Sequence, residues 1–300
     1  MSQQAFAGAH VAIVTPFRDD GEVDWAAWSR LVDWHAASGT TGIVVGGTTG
    51  ESPTLADSEL LELARRARTQ AAGRMQVIVG CGTNSTAATV ERVRRYSAEG
   101  VDGLLLVTPA YNKPTQEGLY RHFEAAAHAA TVPVILYNVP VRTAVDMLPE
   151  TVARLARVPR IVAIKEAVPQ MSRVQELRAH CPPAFGILSG DDATAREAMA
   201  NGAGGVISVT GNVAPAAMSQ MVAAALAGDA GRAAEIDARL AGLHQNLFLE
   251  ANPIPVKWAL ERMGMIRGRL RLPLTPLSAR HHAAVEAALA TAGVSLAVAA

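Results

Sequence analysis

The chain has 300 residues, half of them apolar, and its 27 basic and 27 acidic side chains leave no formal net charge. That balance disfavours a nucleic-acid or anionic-lipid surface and makes small-molecule chemistry the better expectation. Residues Met1 to Gly8 carry no positive leader region and no apolar run is long enough to span a membrane, so a soluble, cytoplasmic protein is expected.

Short apolar runs recur along the chain: His10–Pro16, Gly42–Gly46, Met75–Gly80, Gly103–Pro109, Pro133–Asn138, Ile161–Lys165, Ala184–Ser189 and Gly204–Thr210. They lack polar alternation, as parallel strands covered on both faces do. Between them lie segments of helical period. Trp25, Trp28, Leu31 and His35 mark one helix face, with Asp24 placed as its N-cap. Leu60, Leu63, Ala64 and Ala67 mark a second, and Pro149 suits the first turn of another helix before Thr151–Leu155. Eight strands alternating with helices predict a (β/α)8 TIM barrel over residues 1–228. A doubly wound open sheet is the alternative, but no GxGxxG follows the first strand. From Asp229 onward Ile236, Leu240, Leu243 and Leu247 step at helical spacing, which predicts a C-terminal helical extension over 229–300.

In a barrel of this kind the chemistry sits at the carboxyl ends of the strands. The residues found there are Gly47–Ser52, Thr108–Asn112, Tyr137–Thr143, Lys165–Ala167, Ser189–Asp192 and Ser208–Thr210. Lys165, one of only three lysines beside Lys113 and Lys257, closes an apolar strand. Burial disfavours its charged form and leaves an amine able to attack a ketone and form an imine. The structural reading is a lysine paired with Glu166, but neighbouring strand residues face opposite sides, which makes Glu166 a poor partner. Tyr137 ends the adjacent strand, where a phenol can donate and accept the protons of imine chemistry or simply be core. Thr48 and Thr49 follow Gly46-Gly47, a turn that directs backbone N–H groups toward a carboxylate, though such turns are common. Arg142 at the mouth suits a bidentate carboxylate grip as well as a surface ion pair. Cys81 and Cys181 lack CxxC spacing and the histidines form no ligand motif, so a metal site has little support.

These motifs together resemble the dihydrodipicolinate synthase family within the N-acetylneuraminate lyase superfamily. The likeness runs from VAIVTPF at Val11 through GTTGES, TPxYN, YNVPxRT, IKEA, SGDDA and GVISVT to NPIPVKWA at Asn252–Ala259. It implies a lyase that joins pyruvate to L-aspartate semialdehyde in diaminopimelate and lysine synthesis, without cofactor or metal. By the same resemblance Lys165 forms the imine and Tyr137 shuttles protons. Thr48 relays to a Tyr111 supplied by a neighbouring subunit, in a homotetramer built as a dimer of dimers. Thr48 and Thr49 hold the pyruvate carboxylate, Arg142 takes that of the second substrate, and Gly190 and Ile207 line the pocket through backbone groups. Two positions depart from the family pattern: Ala144 replaces a common glycine after Arg-Thr, and Ala110 replaces an aromatic before Tyr111. The residues that bind lysine in feedback-sensitive relatives are also altered, to Asp57, Leu60, Ala88 and Ala110, with Asn84 kept, and this chain is expected to escape lysine inhibition.

Overall fold

The computed structural model describes residues 4–297; residues 1–3 and 298–300, the outer ends of the two expected segments, lie outside the described residues. Eight parallel strands close into a barrel in sequence order: β1 (Gly8–Ala12), β2 (Gly42–Val45), β3 (Gln76–Gly80), β4 (Gly103–Val107), β5 (Val134–Asn138), β6 (Ile161–Glu166), β7 (Gly186–Ser189) and β8 (Gly205–Ser208). Closure comes from β1 pairing with β8, Gly8 through Val11 lying opposite Gly205 through Ser208. The fold is therefore the (β/α)8 barrel with a C-terminal helical region, as the alternating runs indicated.

Strand alternation splits the apolar side chains into two layers. One fills the barrel and includes Ala12, Val44, Ile78, Leu105, Ile135, Tyr137, Ala163, Leu188 and Ile207. The other lies between strands and helices, with Leu31, Leu63, Phe123, Leu136, Ile164 and Leu177 among its members. Each large aliphatic side chain buried this way stabilises the fold by about 1.5–3 kcal/mol. The helix faces read from sequence supply the outer layer. Trp28, Leu31 and His35 of helix Trp25–Ala37 are buried, and the Asp24 carboxylate accepts the Ala27 N–H at 2.9 Å. Leu60, Leu63, Ala64 and Ala67 are buried on helix Asp57–Ala71.

Several apolar runs outlast their strands. β1 stops at Ala12 rather than Pro16, and β8 at Ser208 rather than Thr210. Side chains take over the backbone bonding there. Asn212 Oδ1 accepts the Val14 N–H at 3.0 Å, and Asp192 Oδ2 accepts the N–H groups of Val209 and Thr210 at 2.8 and 2.9 Å. The mouth loops are thus buried and apolar without being ladder. After the barrel come helices Ala230–Asn246, Ile254–Arg262 and His282–Thr291. Ile236, Leu240 and Leu243 are buried on the first of these.

Candidate active site

Tyr137 and Lys165 occupy paired positions at the ends of β5 and β6. Both point into the barrel, continuing the inward faces of Ile135 and Ala163. Lys165 is 5% exposed, and its Nζ lies 4.4 Å from the centre of the Tyr137 ring. Among the described residues it makes no ion pair. Gly190, at the end of β7, leaves room for it: a Cβ there would come within 3.1 Å of Lys165 Cε and 3.0 Å of Ala167 Cβ. Ile207 is buried in the same interior layer.

Above this layer opens a cavity of about 560 Å³ lined by Thr48, Tyr137 and Arg142, with Asn84, Arg92 and Ala110 on its wall. That size suits small substrates. Thr49 is buried beside Thr48, and its hydroxyl oxygen accepts from Asn252 Nδ2 at 2.9 Å. Arg142 reaches the same residue, Nη2 donating to the Asn252 carbonyl at 3.3 Å. Its guanidinium has no ion-pair partner among the described residues, which leaves donors free for a carboxylate.

The C-terminal region fastens the threonine loop from behind. Lys257 is fully buried and donates to Glu51 Oε1 at 2.6 Å and to the Thr15 carbonyl at 2.9 Å. Burial lowers the Lys257 amine to about 8, against the opposing pull of Glu51. Glu51 holds a left-handed φ of 56° directly after Gly50, backbone strain that this contact sustains. Sequence reading singled out NPIPVKWA but assigned it no role; the Asn252 contact with Thr49 and the Lys257 contact with Glu51 each span more than 200 residues, and no local pattern announces them.

Behind the strands a second polar cluster was also unforeseen. Glu166 points away from Lys165, as alternation requires, and is 3% exposed. It accepts from Asn138 Nδ2 at 3.0 and 3.1 Å, from the Val168 N–H at 2.9 Å and from Arg173 Nη1 at 3.4 Å. Burial pushes its carboxyl up to about 7. Asp146 pairs with Arg173 through two bonds of 2.6 and 2.9 Å, which hold its carboxyl below the ordinary range.

Tyr111 stands apart. It is 92% exposed with φ of 74° and does not reach Lys165 within its own chain. Ala144 adopts φ of 57°, the left-handed conformation that a glycine would take without strain. Asp57 is held by Arg92 at 2.7 Å, and Leu60 is buried.

A closed barrel carrying one unpaired, buried amine at its mouth, with a phenol against it and a threonine and an arginine lining the cavity above, has the architecture of a Schiff-base-forming lyase. The model of the Dihydrodipicolinate synthetase family matches residues 5–292, and the chain belongs to that family. It is 54% identical to the 4-hydroxy-tetrahydrodipicolinate synthase of Methylococcus capsulatus over 96% of this chain and 99% of the relative. It is 53% identical to the enzyme of the same name from Teredinibacter turnerae, again over 96% and 99%. Among solved structures, the chloride-inhibited dihydrodipicolinate synthase from Acinetobacter baumannii complexed with pyruvate superposes with a TM-score of 0.95 at 47% identity, covering 97% of this chain and all of that one. The Aquifex aeolicus dihydrodipicolinate synthase gives 0.94 at 43% identity over 97% and 99%.

Proposed function

We propose that this chain catalyses the 4-hydroxy-tetrahydrodipicolinate synthase reaction, joining pyruvate to L-aspartate semialdehyde, and that the residues around Lys165 divide the work as follows. The Lys165 amine adds to the pyruvate ketone and expels water, forming an imine. The imine draws electrons from the adjacent methyl group, which loses a proton and becomes the nucleophilic carbon of an enamine. That carbon adds to the aldehyde of the second substrate. The amino group of that substrate then attacks the imine carbon, closing the ring and releasing Lys165. Tyr137 moves the protons of these steps. Thr48 and Thr49 hold the pyruvate carboxylate, and Gly190 and Ile207 present backbone groups to the pocket. Arg142 receives the carboxylate of the semialdehyde. No cofactor or metal enters the scheme.

The observation that carries this reading is the unpaired Lys165 amine against Tyr137, in a site whose cavity is lined by Thr48 and Arg142. The exposed, strained Tyr111 supports a homo-oligomer, a dimer of dimers, in which a neighbouring subunit's pocket receives the phenol. Among the described residues no helix is long and apolar enough to cross a membrane, and a cytoplasmic location accords with a biosynthetic role. The Arg92 contact already occupies the Asp57 carboxylate, which supports weak or absent lysine inhibition. A coupled steady-state assay comparing L-aspartate semialdehyde with N-acetylneuraminate tests the substrate. Turnover with the semialdehyde is expected; preference for the sugar acid would transfer the chain to another pyruvate-dependent branch.

A further inference from the structure

The ends of β5 and β6 carry two back-to-back layers. Tyr137 and Lys165 face inward as one register pair, and Asn138 and Glu166 face outward as the next. The outward pair is the hub of a closed polar clamp. One Asn138 amide hydrogen serves the two Glu166 oxygens and the other serves Asp146 Oδ1 at 2.8 Å, which accounts for both donors of that amide. The Asn138 side-chain oxygen Oδ1 accepts the Met147 N–H at 3.0 Å, and Arg173 Nη1 adds a bond to the Met147 backbone carbonyl at 3.3 Å. Four segments are thereby tied at one point: the end of β5, the end of β6, the stretch 146–147 that follows the Arg142 segment, and helix Met171–His180.

The chemistry of the clamp is costly for a purely structural feature. Two carboxylates share one guanidinium, Glu166 on the dry side and Asp146 on the part-exposed side, and replacing buried charge clusters with apolar side chains often leaves a fold as stable or more so. We infer that Glu166 is a positioning residue for the reaction: through Asn138 and Arg173 it sets Lys165 against Tyr137 and anchors the segment that carries Arg142. It touches no substrate. Its effect is geometric, because both reacting side chains hang from the backbone positions immediately before the clamped ones.

The inference rests on the role proposed for Lys165, and the experiment separates the two. The wild-type chain is reduced with borohydride in the presence of pyruvate; absence of an adduct on Lys165 would remove the reading itself. Glu166→Gln keeps the shape but places an amide donor where Asn138 and Arg173 also donate. Each preparation is trapped to completion so that rates are expressed per trap-competent site. The expected result is a kcat lower by about tenfold to a hundredfold, the scale of a misplaced catalytic group, with the pyruvate KM within about threefold of wild type. A kcat per site within about twofold of wild type would overturn the inference. Asp146→Asn, on the part-exposed side of the clamp, loosens the Arg142 segment instead. It is expected to raise the KM for the semialdehyde by roughly threefold to tenfold without changing pyruvate trapping. Should Glu166→Gln yield no soluble protein, this second variant decides, and an unchanged semialdehyde KM overturns the inference.

Discussion

Two of the three lysines are buried, and their surroundings differ in kind. Lys257 sits where the C-terminal region meets the threonine loop, with Glu51 at 2.6 Å, a backbone carbonyl at 2.9 Å and the Phe17 ring 4.3 Å away. Lys165 sits at the barrel mouth with an aromatic face beside it at a similar distance but no carboxylate. The first is held in a buried ion pair, and as an ammonium it has no lone pair to offer a substrate. The second makes no ion pair among the described residues. Burial alone therefore does not single out one lysine; what separates the two is that Lys257 is already held by a carboxylate and a carbonyl, while Lys165 is not.

The largest effect should follow from removing the unpaired amine. Lys165→Ala is expected to lower turnover by on the order of a thousandfold or more, because the proposed scheme has no other group to form the imine. Its thermal midpoint should stay close to wild type, since no ion pair is lost. Retained turnover would break the comparison. Lys257→Met should do the reverse. It strands the Glu51 carboxylate and should destabilise the chain by about 3–5 kcal/mol in chemical denaturation. The folded fraction should still label on Lys165.

Glu166 supplies a pH test on the same strand as Lys165. Its carboxyl is raised from 4.5 to about 7, so the folded state holds a proton that the unfolded state releases first. The stability this contributes is fully present below about 4.5 and is lost as pH rises through 7, about 3 kcal/mol in all. Denaturation midpoints of the wild type should carry this downward slope between about pH 5 and pH 8, and Glu166→Gln should lack it. Equal slopes would show that the site is wetter than the contacts imply. Arg142 is the smallest case, a cation at the mouth that is neither buried nor paired. Arg142→Ala should leave pyruvate trapping intact and reduce kcat/KM for the semialdehyde by roughly one to two orders of magnitude, the worth of about 1.5–3 kcal/mol for a charge-assisted contact. Equal damage to pyruvate trapping would reassign Arg142 to the first substrate.

The alternation of apolar runs and helical segments was enough to read the barrel, and strand parity was enough to turn Lys165 inward and Glu166 outward. What parity leaves open is what waits on the far side. Asn138, Asp146 and Arg173 are spread over the end of β5, the segment that follows it and the helix after β6, and their meeting at Glu166 depends on how those segments pack. The role of Lys257 was equally hidden, because its partner Glu51 lies 206 residues away. The strand ends were overrun for a related reason: apolar mouth loops look like strand until Asn212 and Asp192 are seen taking their N–H groups. The left-handed Ala144 was visible in sequence only as a missing glycine.

The contrast between the two buried amines is tested most directly by reducing the wild-type chain with borohydride in the presence of pyruvate and mapping the adduct by peptide mass. A single pyruvate-derived adduct per chain, on Lys165, is the expected result. An adduct on Lys257 or Lys113, or none, would contradict it.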